Sequence, residues 1–217
     1  IFIVEPRGTG GMIHYAYQFA TALTREGIDI TLITACTYEL DHLPHNFEIE
    51  KRMDLWRLYE DRKLAGQGLI GRLWNRIRRL ARRGARAYRL VREWVKLIHY
   101  LLATHPDVVQ FGKIEFAFEG VFLAFMRWRG LRLSQICHEF EAREQGMWGK
   151  FMTRFYASLY HNFDIIFLHG QNNREQFLSL YSVPIERTFV IPHGNENLFL
   201  QEAAENATTS ELADHYH

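Results

Sequence analysis

The chain has 217 residues, 47% hydrophobic and 14% aromatic, which is enough to bury a substantial core and excludes a disordered chain. No run approaches the ~18 consecutive apolar residues of a membrane-spanning helix, and the two cysteines, Cys36 and Cys137, cannot build a disulfide framework. The net charge of +1 hides a segregation: residues 62–96 hold twelve Lys/Arg and one acid, Glu93, while the remainder holds fourteen basic and twenty-four acidic residues.

The chain opens on IFIV (1–4), an apolar run lacking the basic region and cleavage site of a secretion signal. Residues ahead of Ile1 are expected, as is a reducing, cytoplasmic setting in which both thiols are buried. A glycine-rich turn, Glu5-Pro6-Arg7-Gly8-Thr9-Gly10-Gly11-Met12, leads into a helical pattern over 11–26. ITLITA (30–35) is the second strand, and FEIEKR (47–52), which alternates polar and apolar, reads as an edge strand. A long amphipathic pattern over 69–103 precedes DVVQF (107–111). Helices over 115–129, 147–162 and 172–181 then separate the strands LRLSQIC (131–137), DIIFL (164–168) and TFVI (188–191), with Asn172 as an N-cap. Short, β-branched strands alternating with helices predict one α/β unit: a doubly wound, mostly parallel sheet with helices on both faces.

Ligands in such sheets lie beyond the carboxyl ends of the strands. In the first turn, glycines let backbone N–H groups approach a phosphate at a helix N-terminus, or simply permit positive φ in a tight turn. Ile13 stands where a dinucleotide fingerprint needs its third glycine, and the second strand ends in Ala35-Cys36-Thr37 without a ribose-binding acid, which argues against a nicotinamide enzyme. No P-loop is present either. His138 and Glu139 follow the fifth of these runs, where a histidine can bond a sugar hydroxyl or a phosphate, or cap the strand. His169-Gly170 follows the next strand, and Ile191-Pro192-His193-Gly194 closes the last. His42 and His45 lack a carboxylate cluster at ligand spacing, so no metal site is expected.

In the basic segment, Ile70, Leu73, Trp74, Ile77, Leu80, Ala81, Ala85, Tyr88, Val91, Trp94, Val95, Ile98 and Leu102 recur at helical spacing, with Arg72, Arg76, Arg79, Arg83 and Arg86 opposite. The helix either overhangs the short strands or breaks near Gly84. Its C-terminal stripe covers the sheet, and its arginines are a solvated face or lie on an anionic membrane. Nucleic acid is disfavoured because no stacking platform accompanies them.

Taken together, Gly10-Gly11 with its helix and ITLIT, His105-Pro106-Asp107-Val108-Val109 leading to His138-Glu139, and Asp164-Ile165-Ile166 leading to Ile191-Pro192-His193-Gly194 resemble the N-terminal half of GT-B glycosyltransferases of the family-4 type. The resemblance implies a Rossmann-like acceptor-side domain over 1–199, with 200–217 opening an interdomain segment or a disordered tail. It implies sugar transfer from a nucleotide-sugar substrate to a glycan or lipid-linked acceptor, with retention and without a cofactor. Gly10, Gly11 and Gly194 would lie on the donor side and His138 at the reaction centre, while Arg7, Lys113 and Glu139 would shape the acceptor site. Most donor contacts, and an E-x7-E acidic pair, belong to a second Rossmann domain of which this sequence shows no sign, so this stretch alone is expected to be inert. The competing expectation is a non-catalytic module that binds an anionic membrane or polyanion through Arg72, Arg76, Arg79 and Arg83, peripheral on the inner membrane face. Asn206-Ala207-Thr208 matches a glycosylation sequon by chance.

Overall fold

β-Branched and aromatic residues on consecutive positions make strands of three to six residues, several of them followed closely by proline, glycine or aspartate, as at Pro6, Gly112 and Gly170. The computed structural model describes residues 1–53, 69–114, 116–138, 140 and 147–192, and for 69–80 and 147–151 the backbone alone. The chain runs β1 (Phe2–Val4), α1 (Gly11–Arg25), β2 (Thr31–Ala35), β3 (Glu48–Met53), α2 (Leu69–Thr104), β4 (Val109–Phe111), α3 (Gly120–Trp128), β5 (Leu133–Cys137), α4 (Met147–Tyr160), β6 (Ile165–Leu168), α5 (Gln171–Tyr181) and β7 (Thr188–Val190). Among the described residues seven strands form one sheet, in the order β3-β2-β1-β4-β5-β6-β7, and every pairing is parallel. The alternating strand β3 does take an edge, where one face meets water.

Successive strand residues point to opposite faces, and the core divides accordingly. Ile3 and Leu32 pack with Ile13, Ala16, Tyr17 and Ala20 of α1, together with Tyr38, Leu40 and Phe47 from the loop before β3. Val4 and Ile33 face the other side, where α2, α3, α4 and α5 bury Trp94, Leu101, Leu123, Met126, Leu159 and Phe177. At the far edge, the α1 side of the sheet carries a Phe167–Phe189 ring pair at 6.2 Å, with Ile165 and Phe189 exposed.

Helix α2 is assigned through Gly84 without a break, and its 36 residues span about 54 Å at 1.5 Å per residue. Its buried seam is Trp94, Leu97, Ile98 and Leu101, flanked by Leu90. The expected stripe is therefore corrected in part: Ala81, Ala85, Tyr88, Val91 and Val95 lie on the exposed side, because this helix carries two apolar ridges and only one meets the sheet. The single acid of the basic segment, Glu93, is buried and accepts hydrogen bonds from Arg92 (Nη2, 2.8 Å) and Lys96 (3.0 Å) on its own helix.

Three local expectations change. The helix predicted from 115 starts at Gly120, after a 3-10 turn at Ala117–Glu119. Glu119 pins that turn: it is buried, and its carboxylate accepts the Phe116 N–H at 2.9 Å and the Trp94 indole N–H at 3.0 Å. Gly170, in extended conformation, caps α5, and Asn172 sits exposed inside the first turn. Cys36 is exposed just past β2, whereas Cys137 is buried and desolvation pushes its thiol up to about 12.

The packing separates two positions on α2. Leu101→Ala, which empties a fully buried site, lowers unfolding free energy by about 2–5 kcal/mol. Val95→Ala, more than half exposed, changes it by less than about 0.5 kcal/mol. Urea unfolding of both variants checks this, and equal losses would contradict the assigned seam.

Candidate active site

Parallel pairing brings the end of every strand to one edge, and the strand order reverses between β1 and β4, from which α1 and α3 leave for opposite faces. At that switch point Glu5, completely buried, follows β1. Its N–H reaches Ile33 O at 3.0 Å, and its Oε1 accepts the Arg7 N–H at 3.1 Å. Gly112, just past β4, makes room for the other carboxylate oxygen, since a Cβ there would collide with it.

The glycines of the first turn do different things. Gly8 is pressed against the loop after β2, and a Cβ on it would overlap the Thr37 carbonyl oxygen. Its own carbonyl accepts the Glu39 N–H at 3.0 Å. Gly10 caps α1 with φ of 89°, a conformation that favours glycine. Its N–H donates to Glu39 Oε1 at 2.6 Å, and the same oxygen lies 3.1 Å from His14 Nε2. A carboxylate thus already sits at the positive end of α1. Gly11 is exposed, and a Cβ on it would meet nothing within 4 Å.

His138 and His169 occupy the first positions past β5 and β6. Those strands pair through Cys137↔Leu168, so the two histidines stand side by side. Their rings lie 4.5 Å apart, and His169 Nε2 is 2.9 Å from His138 Nδ1. Tyr15 of α1 meets both edge-on, at 4.6 Å from His138 and 5.6 Å from His169. Burial pushes the Tyr15 hydroxyl above its ordinary range, so the phenol stays neutral.

Gly10, Gly11, Lys113 and His138 all lie along this edge, with Arg7 exposed in the turn. Lys113 borders a void of about 10 Å³ with Pro6, Trp94 and Glu119, on the α2 side of the switch point. Glu139 and Gly194 lie outside the described residues, as do Glu196 and the stretch 200–217. Arg72, Arg76 and Arg79 lie on the first half of α2, and Arg83 is exposed further along it. His42 and His45 each place Nδ1 against a nearby backbone carbonyl, of Glu39 and Leu43. Sequence reasoning missed Glu5, Tyr15 and Glu39. It named His169 without a role, because only strand register sets it beside His138.

A model of the family described as Glycosyltransferase Family 4 matches residues 9–195, and no curated protein matches the chain. Among solved structures, Anabaena Alr3699/HepE in complex with UDP and glucose is 13% identical with a TM-score of 0.55, over 89% of this chain and 44% of that one. Acinetobacter baumannii MurG is 13% identical with a TM-score of 0.51, over 89% and 46%. A glycosyltransferase from Rickettsia africae is 12% identical with a TM-score of 0.53, over 89% and 42%. The chain spans less than half the length of these structures, and at such identities the likeness is one of fold.

The two kinds of glycine predict opposite effects on stability. Gly8→Ala forces the two loops apart and costs about 1–3 kcal/mol, as overpacking does. Gly11→Ala enters open space at a helix start and leaves stability unchanged or raises it by about 0.4–1 kcal/mol. Thermal unfolding decides, and a destabilised Gly11→Ala would show that this position is packed.

Proposed function

The chain belongs to Glycosyltransferase Family 4 and has the Rossmann-like architecture of one half of the GT-B fold; from that premise we propose that residues 1–199 are the acceptor-side domain of a transferase acting in the cytoplasm. It moves a sugar, with retention, from a nucleotide-sugar to a glycan or lipid-linked acceptor. The observation that carries this reading is that His138 packs on Tyr15, one turn along α1 from the open Gly11. Tyr15 and Gly11 lie about 6 Å apart along the axis, the scale of a sugar ring. A donor with its diphosphate over Gly10 and Gly11 therefore brings its reacting carbon near His138.

Transfer passes through an oxocarbenium-like state while negative charge grows on the leaving diphosphate. The N-terminus of α1 faces that charge with aligned N–H groups, which stabilise it once the Glu39 carboxylate gives up its place on the Gly10 N–H. His138 offers a polar contact to the transferred sugar or acceptor, and Arg7, Lys113 and Glu139 bound the acceptor side. Gly194 and a second Rossmann domain with an acidic pair complete the donor site. Alone, this domain forms one wall of the cleft and does not turn over. The UDP and glucose named with Anabaena HepE support the donor class.

A second reading is favoured by the exposed side of α2, where Arg83 and Arg86 stand with Tyr88, Val91 and Val95. That combination suits an anionic membrane surface. No described helix is long and apolar enough to cross a membrane, so contact of this kind is peripheral.

The reading frame followed past His217 is expected to encode a second α/β domain with an E-x7-E pair. In that transferase His138→Ala lowers kcat about 100-fold or more and leaves liposome binding alone. Charge reversal at Arg72, Arg76, Arg79 and Arg83 does the converse with a soluble acceptor. If charge reversal removes all function and His138→Ala none, α2 is the functional element. Separately, Glu39→Gln keeps an acceptor for the Gly10 N–H and removes a like charge from the diphosphate. It is expected to tighten nucleoside diphosphate binding severalfold, on the order of 1 kcal/mol at a partly exposed site. Calorimetric titration checks this, and an unchanged affinity would place the diphosphate elsewhere.

A further inference from the structure

We propose that His169 is the positioning residue for His138, donating its Nε2–H to His138 Nδ1 and so holding His138 in the Nε2–H tautomer. This rests on the reading of His138 as the group nearest the transferred sugar. Chain topology makes the pairing obligatory. Cys137 and Leu168 end β5 and β6 in register, adjacent parallel strands lie about 4.8 Å apart, and the next residue on each strand is a histidine.

The 2.9 Å between His169 Nε2 and His138 Nδ1 has room for one proton. One ring donates and the other accepts, so the tautomer of either fixes that of its neighbour. Two neutral arrangements satisfy the contact. In the first, both rings carry their proton on Nε2, the more stable tautomer of a neutral imidazole in water. In the second, both carry it on Nδ1. The first needs no unfavourable tautomer on either ring and leaves His138 with a donor on the nitrogen remote from His169. That nitrogen is buried in this structure, and a proton held on it is one that a sugar or phosphate oxygen seated against it would accept a hydrogen bond from. Tyr15 stands nearly perpendicular to both rings, at 87° and 73°, and limits their rotation out of this arrangement. Orientation of one imidazole by a hydrogen bond to its other nitrogen is general chemistry for such rings; here the orienting group is a second imidazole.

The test is a long-range proton–nitrogen spectrum of the histidine-labelled chain at about pH 8, above the ordinary imidazole range. His138 is expected to show a single tautomer, protonated on Nε2 and unprotonated on Nδ1. His169→Phe keeps a ring of similar shape without the donor and is expected to give tautomer averaging at His138. His169→Gln puts an amide N–H near the lost nitrogen and is expected to restore the single form. In sugar transfer by the transferase, His169→Phe lowers kcat about 10- to 100-fold, the scale seen when the partner orienting an imidazole is removed. Donor KM changes little, and His169→Gln recovers most of the rate. A His138 protonated on Nδ1 in the unaltered chain overturns the proposal, as does a His138 spectrum that His169→Phe leaves unchanged. If the unaltered protein transfers no sugar, the transferase reading fails by itself, and the tautomer spectra still decide the role of His169.

Discussion

Parallel hydrogen bonding across one sheet imposes the geometry on which the site depends. Because β1, β4, β5 and β6 run the same way and pair residue for residue, each strand delivers its next residue to a common edge. Buried Glu5 stands beside crowded Gly112, and His138 beside His169, for that reason, though the first and last are 164 positions apart. Such a site is cheap to assemble once the sheet exists, and it is lost if any one strand slips by a single residue, since every side chain would then change face.

The edge is shaped by fitted backbone as much as by side chains. Gly8 lets the first loop lie on the second, and Gly112 leaves space for the carboxylate of Glu5. Glu39 joins the loops by accepting the Gly10 N–H while its own N–H donates to Gly8. The N-terminus of α1 is therefore held open and already satisfied, so an incoming anion exchanges with a carboxylate instead of meeting bare dipoles.

Much of this was legible in the residues. Consecutive β-branched positions marked buried parallel strands, and the alternation of FEIEKR marked the edge. The glycine turn and His138 fell at strand ends, where ligands bind in such folds. What stayed hidden depended on relations between distant segments. Spacing within α2 identified its apolar residues but not which of two ridges meets the sheet. β2 ends at Ala35 as its apolar run suggests, and Cys36, the next residue, is left exposed instead of buried. Asn172 is a good capping residue, yet the strand leaves β6 through Gly170, and the cap falls there. Glu39 reaches the first turn only because the chain folds back after β2, and His169 gains its partner from register. Neither signal exists within a single stretch of sequence.

The anchorage of α2 has a further consequence. Helices that connect parallel strands run against them, and α2 is buried only from about Leu90 onward. The 21 residues from Leu69 to Arg89 extend about 30 Å past the sheet on the same side as the strand ends. That stretch holds eight arginines and no acidic residue. This projecting stretch is thus a positive pole that leads the strand-end edge. Its tip stands several Debye lengths, each ~8 Å at physiological salt, ahead of the sheet. Near a negatively charged surface the domain would be turned edge-first before any contact forms, and lowering the salt would lengthen the distance at which the turning begins.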